Sequence, residues 1–294
     1  MSRYRFVEDH QAAYPVSRLC RLVGVSRSGF YAWRGRRVSA RDAANGRLLT
    51  QIREIHEASL GCYGRLRVTG QLRRRGRAVN HKRVGRLMRH AGLYGVGGPG
   101  YRKRPHTAAA SAGVFGPDLI CRQFSAVAPD RRWVADITEF STQEGRLYLA
   151  AVMDLYSRRI VGWSINNRRT AELVVDALVM AIAQRRPDGR VIHHADHGSQ
   201  YTSTAFCDRA FDEGVRLSFG RVGTAADNAA MEAFWSTLKR ELAHIHGHRT
   251  WQTRRQLRAA LFEYIEVFYN RQRHQPRLGH KTPAEYEADL TEAA

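Results

Sequence analysis

The chain has no run near the ~18–20 uninterrupted apolar residues of a membrane span. Its opening residues, MSRYRFVEDHQ, lack the apolar stretch of a signal peptide, so nothing predicts export. Cysteine is scarce, and Cys20, Cys62, Cys121 and Cys207 form no CxxC pair. That scatter points to reduced thiols of a cytosolic protein and against a zinc ribbon. Acidic residues are few in the first third: residues 1–110 hold 5, against 24 Lys and Arg.

What is present follows from that imbalance. The 294 residues carry a net charge of +21, and +19 of it lies in residues 1–110. Residues 111–294 hold 24 basic and 22 acidic side chains. A charge excess confined to one segment is the electrostatic footprint of a polyanion partner, whereas a solubility device would be spread along the chain. These segments lack the wide apolar face of a membrane-surface helix. Nearly all of the cations are arginine, the side chain suited to bidentate phosphate contacts. An apolar content of 43% matches a globular chain.

Two helix-turn-helix-like patterns occupy the basic third. In the first, Val16–Val23 is helical, Gly24-Val25 turns, and Ser26 caps a helix over Arg27–Arg34. In the second, a helix from about Gly64 to Arg75 ends at Gly76, and Asn80 caps the next. Val84, Leu87, Met88 and Ala91 form its apolar stripe, and Gly92 ends it. Lys82, Arg83, Arg86 and Arg89 lie on the other face, the layout of a helix offered to a DNA groove. The competing reading is a helical hairpin whose arginines only face water. The expected organisation is a DNA-binding region over 1–94, a flexible basic linker over 95–123 rich in Gly, Ala and Pro, and a separate domain over 124–290 with a C-terminal helical extension.

The remainder predicts an α/β fold, a mixed sheet flanked by helices. Strands are expected at Arg132–Phe140, Arg146–Asp154, Ile160–Ile165, Val191–Ala195 and Val215–Phe219. Helices are expected at Thr170–Arg185, Ser203–Glu213, from about Asp227 to Leu242, and Trp251–Tyr269.

Three acids stand out. Asp136 lies mid-strand, where alternation points it out of the core; Asp196 follows a short buried strand; Glu232 opens a helix on which Lys239 lies two turns later. Phosphodiester cleavage needs charge neutralisation on the attacking and leaving oxygens, and Mg²⁺ prefers hard oxygen ligands. Three carboxylates converging beside a phosphate backbone would supply such a site. Each acid also has an ordinary role open to it: Asx turn or N-cap for Asp196, strand-edge charge for Asp136, solvated helix residue for Glu232. Asn228, one turn before Glu232, is a candidate for orienting the site or for capping the helix. His193, His194, His197 and His244, His246, His248 do not have zinc spacing, and Ser199 lacks a GxSxG elbow.

As a set, the motifs resemble a known family. They are Trp133-Val134-Ala135-Asp136, His194-Ala195-Asp196-His197-Gly198-Ser199-Gln200-Tyr201, Asp227-Asn228-Ala229-Ala230-Met231-Glu232 and Lys239-Arg240-Glu241. Thirty-five residues separate Asp196 from Glu232. The tail Tyr269-Asn270-Arg271-Gln272-Arg273-His274 and the early Gly24-Val25-Ser26-Arg27-Ser28-Gly29-Phe30-Tyr31-Ala32-Trp33 belong to the same set. The chain resembles the second-frame product of "insertion sequence three" transposases, within the retroviral-integrase superfamily.

The resemblance implies an RNase H-like integrase core with Asp136, Asp196 and Glu232 as catalytic residues and metal ligands. It also implies two Mg²⁺ ions, replaceable by Mn²⁺, with DNA contacts at Lys239 and Asn228. The implied reaction is cleavage at insertion-sequence ends followed by strand transfer. The implied partners are element-end and target DNA, further copies of the chain, and an upstream first-frame product, in the bacterial cytoplasm. Two other readings remain at this point, a non-catalytic DNA-binding regulator and an RNase H-type nuclease without strand transfer.

Overall fold

The computed structural model describes residues 3–35, 39–96, 117–121, 123–220 and 228–293. Most of the expected linker, and Asp227, lie outside them. The chain forms two compact units, Met1–Thr50 and Gln51–Ala294.

In the first unit, α1 (Arg3–His10), α2 (Val16–Val23) and α3 (Arg27–Arg34) close on Val7, Leu19, Cys20 and Phe30. Gly24, at φ 64°, ends α2, and the Ser26 hydroxyl accepts from Gly29 N–H to start α3, as the sequence predicts. Helices α1 and α4 (Ala40–Ala58) are additions that the sequence patterns do not signal.

In the second unit, α5 (Arg65–Arg74) and α6 (His81–His90) pack through buried Val68, Leu72, Val84 and Met88. The Asn80 side chain accepts from Lys82 N–H, so the expected cap is present. Helix α5 also docks on the C-terminal segment. The Tyr63 hydroxyl, just before it, accepts from His274 N–H at 2.6 Å, and Gln71 and Arg74 donate to the His280 carbonyl. Gly70 has no Cβ because the His280 ring lies 2.2 Å from where one would stand.

The sheet has the order β3-β2-β1-β4-β5. Strands β1 (Arg132–Thr142), β2 (Gly145–Asp154) and β3 (Ile160–Asn166) form an antiparallel meander. Strands β4 (Ile192–Ala195) and β5 (Arg216–Phe219) add to β1 in parallel. The expected mixed sheet is therefore present, with the antiparallel part reached by hairpins and the parallel part by helical crossovers.

One face of the sheet carries Trp133, Ala135, Ala150, Val152 and Val161 against α7 (Ala171–Arg185) and α8 (Thr204–Asp212). Contact with α7 is close at Gly162, where a Cβ would stand 2.2 Å from the Ala177 carbonyl. The period-2 alternation of β1 turns Asp136 to the other face, against which α9 (Ala229–His246) packs.

Past α9, Thr253 and Gln256 form a capping box that starts α10 (Arg254–Phe262). The helix continues as a π-helical stretch, Glu263–Tyr269, before a final helix α11 (Pro283–Ala293). The expected single helix over Trp251–Tyr269 thus starts at Arg254 and changes its hydrogen bonding midway.

The interior between α5, α9 and the π-helical stretch is ionic. Glu241, 2% exposed, accepts two bonds from Arg273 at 2.7 and 2.9 Å and one from the Tyr264 hydroxyl at 2.7 Å. Arg67 of α5 stands 3.7 Å from the same carboxylate. Burial alone would raise the pKa of Glu241, but Arg273 and these bonds hold it below the usual carboxylate value.

Candidate active site

The candidate site forms where β1 and β4 run side by side. Their parallel register pairs Val134 with His194, so Asp136 and Asp196 each stand two residues beyond the same rung. The ladder stops there, but the charge of Asp196 still acts on Asp136, so the two aspartates are near neighbours although 60 positions separate them in the chain.

Asp136 is half-buried on the α9 face. Its Oδ2 accepts the Trp235 indole N–H at 2.8 Å and its Oδ1 accepts the Ile137 amide at 2.7 Å. Burial and the neighbouring charge of Asp196 push its pKa up to about 7, against the pull of those two bonds and of Arg169. An acid held this far from its ordinary value by desolvation and a like charge is a candidate for a functional site.

Asp196 is exposed, and its Oδ1 accepts Gly198 N–H at 3.0 Å. It therefore does make the Asx turn that the sequence allowed, and that turn presents the carboxylate at the end of β4. Gly198 is needed there, since a Cβ would stand 2.9 Å from Asp196 Oδ1.

Glu232 lies in the first turn of α9, half-buried, one turn before Trp235 on the same face. Trp235 fixes that face against Asp136. Asp196 is thus near enough for its charge to act on Asp136, while Glu232 is linked to Asp136 only through Trp235, one turn along α9. Among the described residues no three acidic, histidine or cysteine side chains are grouped tightly enough to hold an ion.

Lys239 follows on the same face, exposed, its ammonium 5.3 Å from the centre of the Phe140 ring. Its surroundings lower its pKa by desolvation, opposed by Glu139 and Asp136. Asn228 makes no side-chain cap to α9, which removes the capping alternative. Its Nδ2 donates instead to the Ala135 carbonyl at 2.9 Å, tying the helix start to the strand beside Asp136.

Three further groups carry no signal in the sequence alone. Trp235 positions Asp136 directly. Arg169 attracts it. The Tyr201 hydroxyl is buried with no hydrogen-bond partner among the described residues, and both aspartates raise its pKa after burial itself. Tyr201 closes the motif that begins at His194, but nothing in its spacing marks a role.

The histidines belong elsewhere. His193 is fully buried between Tyr201 and Phe206, with its pKa lowered to about 3 by desolvation, so it is a neutral core residue. His194 Nδ1 lies 2.9 Å from the Ser218 hydroxyl. His246 and His248 pack on Trp251.

On α6, Lys82, Arg86 and Arg89 are exposed and Arg83 is half-buried. Lys82 and Arg89 line an open groove of about 800 Å³ together with Arg65 and Tyr94.

The family of HTH-like domains matches residues 43–99, and that of integrase core domains matches 126–225 and 232–289. The transposase for insertion sequence element IS904 of Lactococcus lactis is 38% identical over 86% of this chain and 98% of its own length. Transposase InsF for insertion sequence IS3A of Escherichia coli is 36% identical over 97% of this chain and 98% of its own length. Among solved structures, the simian T-cell lymphotropic virus intasome in complex with a PP2A regulatory subunit aligns at a TM-score of 0.47 and 17% identity, over 76% of this chain and 70% of that one. With an HTH-like region ahead of an integrase core, and with that identity along nearly its whole length, the chain belongs to the IS3-family transposases.

Proposed function

We propose that the protein is a DDE-type transposase that cleaves DNA at insertion-element ends and joins the freed 3′ end to a target strand. The observation that carries this reading is the approach of Asp136 on β1 to Asp196 just past the end of β4, close enough for the charge of Asp196 to act on Asp136, with Glu232 one turn before Trp235, which bonds Asp136.

The chemistry of the donor set, though not its present spacing, suits a hard divalent cation. The set is all oxygen, and the raised pKa of Asp136 is the strain that a cation beside two adjacent carboxylates would relieve. Asp136, Asp196 and Glu232 would hold Mg²⁺, two ions in the full site, or Mn²⁺ in its place. When bound, the metal supplies charge neutralisation on the oxygens of the scissile phosphodiester.

The chain's own residues do the rest. Trp235 and the Ile137 amide hold the Asp136 carboxylate in one orientation. Asn228 anchors the start of α9 to β1, so that Glu232 approaches from a fixed direction. Lys239, two turns along the same face, contacts a DNA phosphate close to the acids. Residues 1–94 contribute DNA binding, with Lys82, Arg86 and Arg89 of α6 directed at the backbone or groove and Arg83 beside them. Several copies of the chain, acting with an upstream first-frame product, hold the two element ends and the target.

The test is strand cleavage of a duplex carrying an element end, with Mg²⁺ or Mn²⁺. Asp136→Ala is expected to abolish cleavage while duplex binding in EDTA stays within about twofold. Normal cleavage by that variant would remove Asp136 from the site.

A further inference from the structure

A second basic feature lies on a different flank of α9 from the acids. A cavity of about 390 Å³ is lined by the arginines Arg67, Arg158, Arg273 and Arg277, drawn from α5, the β2–β3 turn and the segment after the π-helical stretch. Ala229, Ala233 and Thr237 form its α9 wall. At ~100° per residue, these three residues point on average roughly 110° around the helix from Glu232 and Lys239.

The charge in this cavity is poorly balanced. Among the described residues, Glu241 is the one carboxylate bonded to any of the four arginines, and Arg273 takes it in bidentate fashion. Arg158, 5% exposed, donates to the Phe124 carbonyl and to no carboxylate. Burial lowers its pKa to about 10 and the nearby Arg277 acts in the same direction, opposed by Tyr269 and Asp154. Desolvated like charges are costly, and a bound anion would offset that cost.

Two buried donors are also left over. Gln275, 8% exposed, lines the cavity, and its Nε2 approaches the Tyr269 hydroxyl without meeting hydrogen-bond geometry. Arg67 Nε is buried with no partner. Two buried donors and four guanidinium groups with Glu241 as their one bonded carboxylate among the described residues make the cavity suited to a multivalent oxyanion.

We propose that this cavity takes a phosphoryl group, presented by a DNA backbone that crosses the flank of α9 away from the acids. The anion chemistry stands on the cavity alone; DNA as its source rests on the function proposed above. Arg158 and Gln275 would bind from the buried floor, and exposed Arg277 would close over the phosphate at the rim.

The test uses the full chain in EDTA, so that failure of cleavage chemistry does not enter. Inorganic phosphate should raise the melting temperature above that of chloride at matched ionic strength, by roughly 3–6 °C at tenfold excess over Kd. Arg277→Gln should lose most of that shift. Ala233→Glu, which places a carboxylate on the cavity wall, should melt no lower than wild type and should not respond to phosphate.

For the DNA source, the slope of log affinity against log salt for a duplex oligonucleotide should fall by about one in Arg277→Gln. A lost phosphate response with an unchanged DNA slope would overturn the DNA assignment and leave a free phosphate as the ligand. No phosphate-specific shift in the wild type, together with an unchanged slope in the variant, would overturn the proposal.

Discussion

Replacing Asp136 with asparagine should make the metal-free protein more stable at alkaline pH. Burial and the charge of Asp196 raise the Asp136 pKa from 3.8 to about 7. A carboxyl whose pKa is raised on folding favours the folded state below its unfolded value, near 4. That contribution is lost as pH climbs through 7. Every tenfold change in proton affinity corresponds to about 1.4 kcal/mol, so a rise of this size gives a penalty of about 4 kcal/mol when fully developed.

Between pH 5 and 8 the wild type should therefore lose roughly 2–3 kcal/mol that Asp136→Asn does not. The amide still accepts one of the two bonds now made by Trp235 and Ile137, and the lost acceptor affects both pH values equally. Urea unfolding of both proteins in EDTA at pH 5, 6, 7 and 8 measures the difference. A variant-minus-wild-type stability that is flat across this range, or that falls, would refute the electrostatic reading of the site. In millimolar Mg²⁺ the gap should shrink, because the wild type alone would recover stability through the ion.

Other perturbations probe separate parts of the chain. Glu241→Ala strands Arg273 in the interior and should cost roughly 3–5 kcal/mol by denaturant unfolding; a loss under 1 kcal/mol would mean that water already reaches the pair. Trp235→Phe removes a donor that lowers the Asp136 pKa, so the acid limb of the cleavage pH profile should move to higher pH; a shift to lower pH would contradict the role given to the indole. Arg86→Ala and Arg89→Ala should each reduce the salt slope of duplex binding by about one, whereas unchanged slopes would leave these side chains facing water. Gly162→Ala should destabilise by roughly 1–3 kcal/mol, since β3 and α7 must part to admit the methyl group.

Much of the fold can be read from local chemistry. Asn80 and Ser26 cap the helices that follow them, as expected, because capping depends on one side chain and an amide two or three residues away. The strands β1 to β5 follow from β-branched and aromatic runs punctuated by turns. Period-2 alternation places Asp136 correctly off one core, but alternation alone does not reveal that a helix covers the other face.

The parts that escape such a reading are those made by distant residues. The Trp235–Asp136 bond spans 99 positions, and the four cavity arginines come from segments whose meeting no periodicity encodes. The π-helical stretch Glu263–Tyr269 has an apolar stripe that an α-helix would also have, so only the hydrogen bonds distinguish it. Asn228 suggests a cap because asparagine caps helices; its amide reaches across to the Ala135 carbonyl instead.

The central claim, that three acids from β1, β4 and α9 share a divalent cation, is tested most directly by counting bound Mn²⁺ with electron paramagnetic resonance. The wild type should bind with an affinity that falls at least tenfold in each of Asp136→Asn, Asp196→Asn and Glu232→Gln, while the far-ultraviolet circular dichroism is unchanged. Undiminished Mn²⁺ binding by any one of the three folded variants would take that residue out of the ion's coordination and contradict the account.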